Sequence, residues 1–331
     1  MASVPLVTVI LTSYNHARFV EESLESVLNQ SLGDLEVMAI DDCSTDDSYD
    51  RLRRIQDRRV TVFRNDCNRG RHSRNWALCN ARGTFIAFQN SDDVWLPGKL
   101  TVQLQFLSQN PECGVCFTGV EMCDEAGRPL PDHPHWGRVF RVEEHNRLGW
   151  LRRFFLQGNC LAFPSAVMRR EVLESIGPFD PGFFQLPDFD LWVRAAGVTE
   201  LNVLPRPLTR FRVHTDGSNV SAPSAAVENR WPGEWLEILD HYSRPPILND
   251  LARIFEFGPD EEDNPDAPGG VWDLARLGFL ATSLDGVHQR RSGVHSLREA
   301  LRRGDRAGAL NQRQRSRIAH RLHRISGEIQ S

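Results

Sequence analysis

Apolar positions in the first hundred residues come in blocks. Pro5 to Thr12 (PLVTVILT), Leu35 to Ile40 (LEVMAI), Val60 to Phe63 and Phe85 to Phe88 are runs of strand length, apolar or β-branched but for Glu36. The first of these reads as a buried strand, and Val60 to Phe63 as a shorter one. Between the runs the spacing turns helical. From Ala17 to Asn29, Phe19, Val20, Leu24, Val27 and Leu28 fall on one face, with Glu21 and Glu22 in the first turn. A second helix runs from a cap at Ser44 or Thr45 to about Asp57, and a third from Ser73 to Ala81. Strand and helix alternate through short loops, which predicts an α/β fold with a doubly wound, mostly parallel sheet.

The pattern then loosens. Helices are predicted over Leu96–Ser108, Trp150–Leu156, Arg169–Ile176 and from Asp188 to about Gly197. Strands are predicted over Cys113–Met122, Ser165–Met168, Leu201–Leu204 and Leu208–Val213. From Arg230 the chain reads as helices only: Trp231–Tyr242, Leu248–Phe257, Trp272–Leu284 and Val294–Ile329. Pro259 to Gly270 (PDEEDNPDAPGG) is an acidic, breaker-rich linker. The expected division is one α/β domain over residues 1–225, in halves 1–100 and 101–225, and a helical C-terminal region over 226–331.

Length changes this picture little: 331 residues suit one large α/β domain with an appended piece. A net charge of −5 gives no argument for nucleic acid. The charge is unevenly spread, because from residue 271 onward twelve arginines face five acids. That basic tail fits a solvated helical face, an acidic partner, the chain's own acidic body or peripheral contact with a membrane surface; a homodimer contact is a further expectation. Lys99 is the only lysine, a usage typical of a GC-rich bacterial genome. No apolar run reaches the length of a membrane span, and Val4 to Leu11 lacks the flanks of a signal peptide, so a cytoplasmic location is expected. The seven cysteines include a Cys113-Gly-Val-Cys116 spacing, but no second pair or histidine cluster completes a zinc set, and free thiols are expected.

The candidate chemistry lies at strand ends. Phe85 to Phe88 runs through Gln89-Asn90-Ser91 into Asp92-Asp93. Ligands of open α/β sheets sit beyond the carboxyl ends of strands. Adjacent carboxylates repel and resist desolvation unless a positive group lies between them, and a hard divalent cation is the usual one. A solvated turn capping the next helix is the alternative. The other strand-end loops are Ser13 to His16 and Asp41 to Asp47. No G-x-G-x-x-G and no P-loop is present, which disfavours dinucleotide binding and ATP hydrolysis.

An ordered set of short pieces resembles the family 2 glycosyltransferases, which have the GT-A fold. The pieces are Thr12-Ser13-Tyr14-Asn15, Asp41-Asp42-Cys43-Ser44-Thr45-Asp46, Arg74-Asn75-x-Ala77, Ala81-Arg82-Gly83 into Ser91-Asp92-Asp93-Val94-Trp95, Pro164 to Arg170, Ile176 to Asp180, Asp188-x-Asp190-Leu191-Trp192, and Arg212-x-His214. The resemblance covers about residues 4–222 and makes 1–100 the nucleotide-sugar-binding half. It implies an inverting transfer from a UDP- or dTDP-sugar to an acceptor hydroxyl on a glycan, lipid-linked sugar, peptide or small metabolite. It places donor contacts at Thr12, Tyr14, Asn15, Asp42, Arg74, Asn90, Ser91 and Asp92. It places Mn2+ or Mg2+ on Asp92, Asp93 and His214. It makes Asp188 the general base, with Asp190 as fallback. Two positions depart from the family pattern: Asn90 stands where the first Asp of the D-x-D-D form is common, and Pro187 replaces the Glu of an E-D pair. Those departures motivate a rival reading, a non-catalytic nucleotide-sugar-binding or scaffold protein on the same fold. A nucleotidyltransferase is a further rival, but Ser13 to Arg18 is not the glycine-rich phosphate loop it needs.

Overall fold

The computed structural model describes residues 4–131, 133, 139–140, 142–214, 219, 225–258, 271–284, 287–307 and 310–328. The chain forms two compact units. One comprises 1–147 with 159–227, the other 148–158 with 228–331.

The first unit is built on eight strands: β1 (Val7–Ser13), β2 (Leu35–Asp41), β3 (Val60–Arg64), β4 (Phe85–Asn90), β5 (Val94–Trp95), β6 (Cys113–Cys123), β7 (Val167–Arg169) and β8 (Glu200–Arg212). Their order across the sheet is β3-β2-β1-β4-β7-β6-β8-β5. The first four are parallel; β1, β2 and β4 are almost wholly buried, and β3 lies half-buried at the sheet edge. Beyond β4 the sheet becomes mixed: β7 runs antiparallel to both β4 and β6.

Register decides where the site forms. Ser13 pairs with Asp41 and Thr12 with Asn90, so β1, β2 and β4 end level. The loops that follow them line one edge of the sheet. The helix Val20–Leu28 buries Val20, Ser23, Leu24 and Val27 at i, i+3, i+4 and i+7. Its Ser23 hydroxyl donates to the Asn90 carbonyl at 2.8 Å and accepts from the Gln89 amide at 2.9 Å, which pins the end of β4 to the helix.

β8 is one strand where the sequence suggests two. Thr118 pairs with Leu204 but Gly119 with Pro207, so Pro205 and Arg206 bulge out of the ladder. Prolines lack the N–H a ladder needs, and their presence at 205 and 207 explains both the bulge and the apparent break. Past the bulge, β8 pairs antiparallel with β5 (Val94 with Arg210, Trp95 with Thr209). That short pairing is absent from the sequence reading, and it returns the end of β8 to the end of β4.

In the second unit, Trp150, Leu151, Phe154 and Phe155 of the helix Arg147–Gln157 are buried. Phe155 packs edge-on against Tyr242 and Phe255, with ring centroids 5.0 and 5.2 Å apart. The aromatic face explains why 148–158 groups with the C-terminal helices. Helices Val271–Thr282, Val287–Ala307 and Gln312–Glu328 follow. A Cβ on Gly278 or Gly293 would collide with the facing helix, so the first two of these pack backbone to backbone.

Candidate active site

The two adjacent acids after β4 face opposite ways. Asp93 turns inward. Its Oδ1 accepts from the Arg212 backbone N–H at 2.8 Å and its Oδ2 from the Asn90 amide at 2.8 Å. Burial, and then the neighbouring Asp92 charge, push its carboxyl well above the ordinary range. Asp93 thus staples β8 to β4. Arg212 completes the staple: its Nε donates to the Asp92 carbonyl at 2.7 Å and its Nη2 to Glu22 at 2.6 Å.

Asp92 turns outward to His214, whose Nε2 lies 2.9 Å from Asp92 Oδ2. The His214 backbone is bracketed by Asn219, which accepts its N–H at 2.8 Å and donates to the Arg212 carbonyl at 2.9 Å. A third group joins them. His16, on the loop after β1, stands with its ring centroid 5.9 Å from that of His214, and its Nδ1 is 2.7 Å from Ser91 Oγ. One ligand atom from each of His16, Asp92 and His214 lies within 4.8 Å of the others. Two imidazoles and a carboxylate are a donor set that suits a divalent first-row metal. Of the three expected ligands the structure brings Asp92 and His214 together with His16, whereas both oxygens of Asp93 are engaged by Arg212 and Asn90. The sequence signal for His16 was its position, since it sits on a strand-end loop at the same sheet edge as Asp92.

On the other side of the same edge the loops after β1 and β2 are tied together. The Asn15 N–H donates to Ser44 Oγ at 3.0 Å, and Asn15 Oδ1 accepts from the Thr45 N–H at 2.8 Å. Asn15 takes φ 54° to do so, a conformation asparagine tolerates. Tyr14 beside it is 45% exposed. Asp42 has an unforeseen task. Its Oδ1 accepts from Asn65, the Arg69 N–H and Ser73, and its Oδ2 from the Gly70 N–H at 2.6 Å. The carboxylate thereby organises the turn into the helix Arg71–Asn80. With one bond on Oδ2, it keeps acceptor capacity there. Asp41 is buried and accepts from the Ser44 N–H at 3.1 Å, so it stays with the scaffold.

Arg74 links this side to the candidate base. Its Nε is 3.4 Å from Thr12 Oγ1 and its guanidinium sits 5.0 Å from the Phe163 ring centroid. Burial lowers its pKa, while the Asp188 and Asp42 charges hold it up.

Asp188 lies in the first turn of the helix Pro187–Ala196. Pro187 fits at that start because the N–H it lacks has no intrahelical partner there. Asn159 Nδ2 donates to Asp188 Oδ2 at 3.0 Å, and Asn159 Oδ1 accepts from the Leu161 N–H at 2.9 Å. Asp188 retains some exposed surface but is crowded by protein. Desolvation pushes its carboxyl up to about 6 against the pull of the Phe189 N–H, Arg74 and Asn159. Asp190 is no rival for this position: Arg194 donates to its Oδ2 at 2.9 and 2.6 Å, and the acid is buried. Trp95 belongs to the core, its Nε1 donating to the Pro164 carbonyl at 2.8 Å. Trp192 packs against Phe117 with centroids 4.8 Å apart. Phe184, before the base, is 52% exposed, whereas Phe183 is buried. Asn159 escaped the sequence reading, because an asparagine between a glycine and a cysteine carries no pattern of its own.

A mixed, mostly parallel sheet with acidic and histidine side chains gathered at its strand ends defines a GT-A type transferase scaffold. The chain belongs to glycosyl transferase family 2, whose family model matches residues 8–177, and it is a glycosyltransferase. It is similar to TuaG of Bacillus subtilis, a putative teichuronic acid biosynthesis glycosyltransferase, with 40% identity over 134 residues, 40% of this chain and 53% of that one. An uncharacterized glycosyltransferase of Methanocaldococcus jannaschii shares 26% identity over 215 residues, 63% of this chain and 71% of that one. Escherichia coli WfaP, named a UDP-Glc:alpha-D-GlcNAc-diphosphoundecaprenol beta-1,3-glucosyltransferase, shares 37% over 103 residues, 31% of this chain and 41% of that one. Among solved structures, S. aureus TarS 1-349 in complex with UDP-GlcNAc has the same fold: TM-score 0.58, 19% identity, 93% of this chain and 82% of that one covered.

Proposed function

We propose that the protein is an inverting, metal-dependent transferase that moves a sugar from a UDP- or dTDP-linked donor to an acceptor hydroxyl. The observation that carries this reading is the single available carboxylate at the helix start. Asp188 is unpaired with any arginine fork, oriented by an amide, and set near 6. A general base works best with a pKa near the operating pH. Above that pKa the Asp188 carboxylate takes the proton of the acceptor hydroxyl as its oxygen attacks the anomeric carbon from the face opposite the nucleotide. Asn159 holds the receiving oxygen in place. One base suffices, since a nucleoside diphosphate leaves without protonation once its charge is offset.

His16, Asp92 and His214 are the residues that would hold Mn2+ or Mg2+. A divalent cation bound there supplies charge for the departing diphosphate. Tyr14 offers a stacking face to the base, Asp42 Oδ2 an acceptor for its N–H, and Thr12, Asn15 and Ser91 stand at the same strand ends. Arg74 brings positive charge between the donor side and Asp188. Asn90 spends its amide on Asp93, so its side chain serves the staple as well as any ribose contact. The UDP-GlcNAc complex of TarS and the UDP-Glc donors in the names of WfaP and WfgD support a UDP-sugar. The diphosphoundecaprenol acceptors in those two names favour a lipid-linked sugar among the possible acceptors.

The test is incubation with UDP-sugars and Mn2+ in the absence of acceptor. Slow release of nucleoside diphosphate is expected. Pyrophosphate release would instead make the protein a nucleotidyltransferase. Tight nucleotide binding with no turnover of any donor, with or without lipid-linked acceptors, would make it a scaffold.

A further inference from the structure

We infer that a cavity along the bulge of β8 holds the hydrocarbon chain of an anionic, lipid-linked acceptor, with Arg206 taking the charged group. This inference rests on the lipid-linked acceptor proposed above. The cavity has a volume of about 470 Å3. Pockets that hold small organic ligands measure roughly 300–1,000 Å3. Its walls include Phe117 and Val120 of β6, Val203 and Pro207 of β8, Phe140 and Leu161.

The fold builds this space. Pro205 and Arg206 leave the ladder between the pairs Thr118–Leu204 and Gly119–Pro207. β6 lies close to the bulge only through Gly119, because a Cβ there would stand 2.9 Å from the Pro205 carbonyl oxygen. On the other side, Phe140, Glu144 and Arg147 step back along β8. Phe140 packs on Phe211 with ring centroids 5.2 Å apart, Asn202 donates to Glu144 at 2.6 Å, and the Arg147 N–H donates to Glu200 at 2.6 Å. Phe140 and Val142 wall the cavity from this side, Pro205 and Pro207 from the bulge.

The hydroxyls of the wall are already engaged. Thr118 and Thr209 place theirs 3.1 Å apart, and the Ser165 hydroxyl donates to the Ala162 carbonyl at 2.7 Å. A glycan seated here would bring hydroxyls that lose water for few new partners, whereas a hydrocarbon gains by burial. The rim carries both signs of charge. Glu143 lines it and is exposed. Arg206, between two lining prolines, is exposed and makes no hydrogen bond or ion pair among the described residues. A chain that ends in a phosphate or diphosphate therefore fits with its head on Arg206 rather than beside Glu143.

The cavity wall also begins one residue from the partner of the candidate base. Cys160, Leu161 and Ala162 line it and follow Asn159, whose amide donates to Asp188 at 3.0 Å and whose Oδ1 accepts from the Leu161 N–H at 2.9 Å. A chain seated against these residues brings the sugar it carries toward Asp188.

The test is calorimetric titration of the whole protein, with EDTA present, using farnesyl diphosphate, pyrophosphate and laurate. Farnesyl diphosphate should bind at least about tenfold more tightly than either of the others. Arg206→Gln should weaken its binding about tenfold and leave the thermal midpoint unchanged. Val203→Trp, which fills the cavity, should weaken it by about the same factor. If Val203→Trp lowers the thermal midpoint, Arg206→Gln decides. Equal binding of pyrophosphate would mean that the head alone is recognised, and equal or tighter binding of laurate would mean a general fatty-acid site. Either overturns the inference, as does full affinity in Arg206→Gln or no binding of farnesyl diphosphate at all. Donor hydrolysis by water involves no lipid. Its absence in the wild type would count against the proposed reaction and leave the titration standing.

Discussion

The end of β4 and the start of the helix Pro187–Ala196 each present two acids within three residues, and each separates them. At the strand end, Asp93 is consumed by the Arg212 N–H and the Asn90 amide while Asp92 faces two imidazoles. At the helix start, Asp190 is consumed by the Arg194 fork while Asp188 faces one amide. In both places one acid is bound into the fold and its neighbour is left for the proposed chemistry. The difference lies in what surrounds the free acid. Asp92 meets nitrogen ligands, an environment for a cation. Asp188 sits in a crowded pocket whose desolvation raises its proton affinity against the pull of the Phe189 N–H, the Arg74 charge and the Asn159 amide. Identical side chains acquire different roles from their partners.

That comparison breaks most visibly at Asp188. Asp188→Asn should cut acceptor-dependent turnover by a factor on the order of a thousand, with donor affinity by titration little changed. Asp190→Ala should act on the fold instead, costing about 3 kcal/mol in chemical denaturation because Arg194 loses its buried partner. If Asp190→Ala left stability alone and removed turnover, the two helix acids would have exchanged roles. At the strand end, His16→Ala should weaken Mn2+ binding by calorimetry on the order of tenfold or more, and an unchanged affinity would restrict the site to Asp92 and His214. The finest probe is Asn159→Ala. The Asn159 N–H favours the charged form of Asp188, so its removal raises the carboxyl further above 6. The acid limb of kcat/KM should then move up by about one pH unit, whereas a purely structural role for Asn159 would lower turnover without moving the limb.

The parallel half of the sheet was legible because β1, β2 and β4 are near-continuous apolar runs and the helix Val20–Leu28 carries a clean apolar face. Asp92 stood out at the end of an apolar run, and Asp188 through the resemblance to the family. Partnership was not legible. Whether an acid is free or bound depends on residues such as Arg212, Asn90, Asn159 and Arg194, the first of which lies more than a hundred residues from the acid it holds. His16 required the level ends of β1 and β4, a property of register. The β5–β8 pairing that delivers His214 to Asp92 involves a strand of two residues, too short to leave a pattern.

The central claim is a displacement at the anomeric carbon assisted by one base. Its most direct test is time-resolved proton NMR of the sugar first released from an α-linked UDP-sugar by the Mn2+-loaded protein, with water as acceptor. The account predicts that the β-anomer appears first and then mutarotates. First appearance of the α-anomer would contradict it, because retention at that carbon cannot arise from a single in-line attack with Asp188 as base.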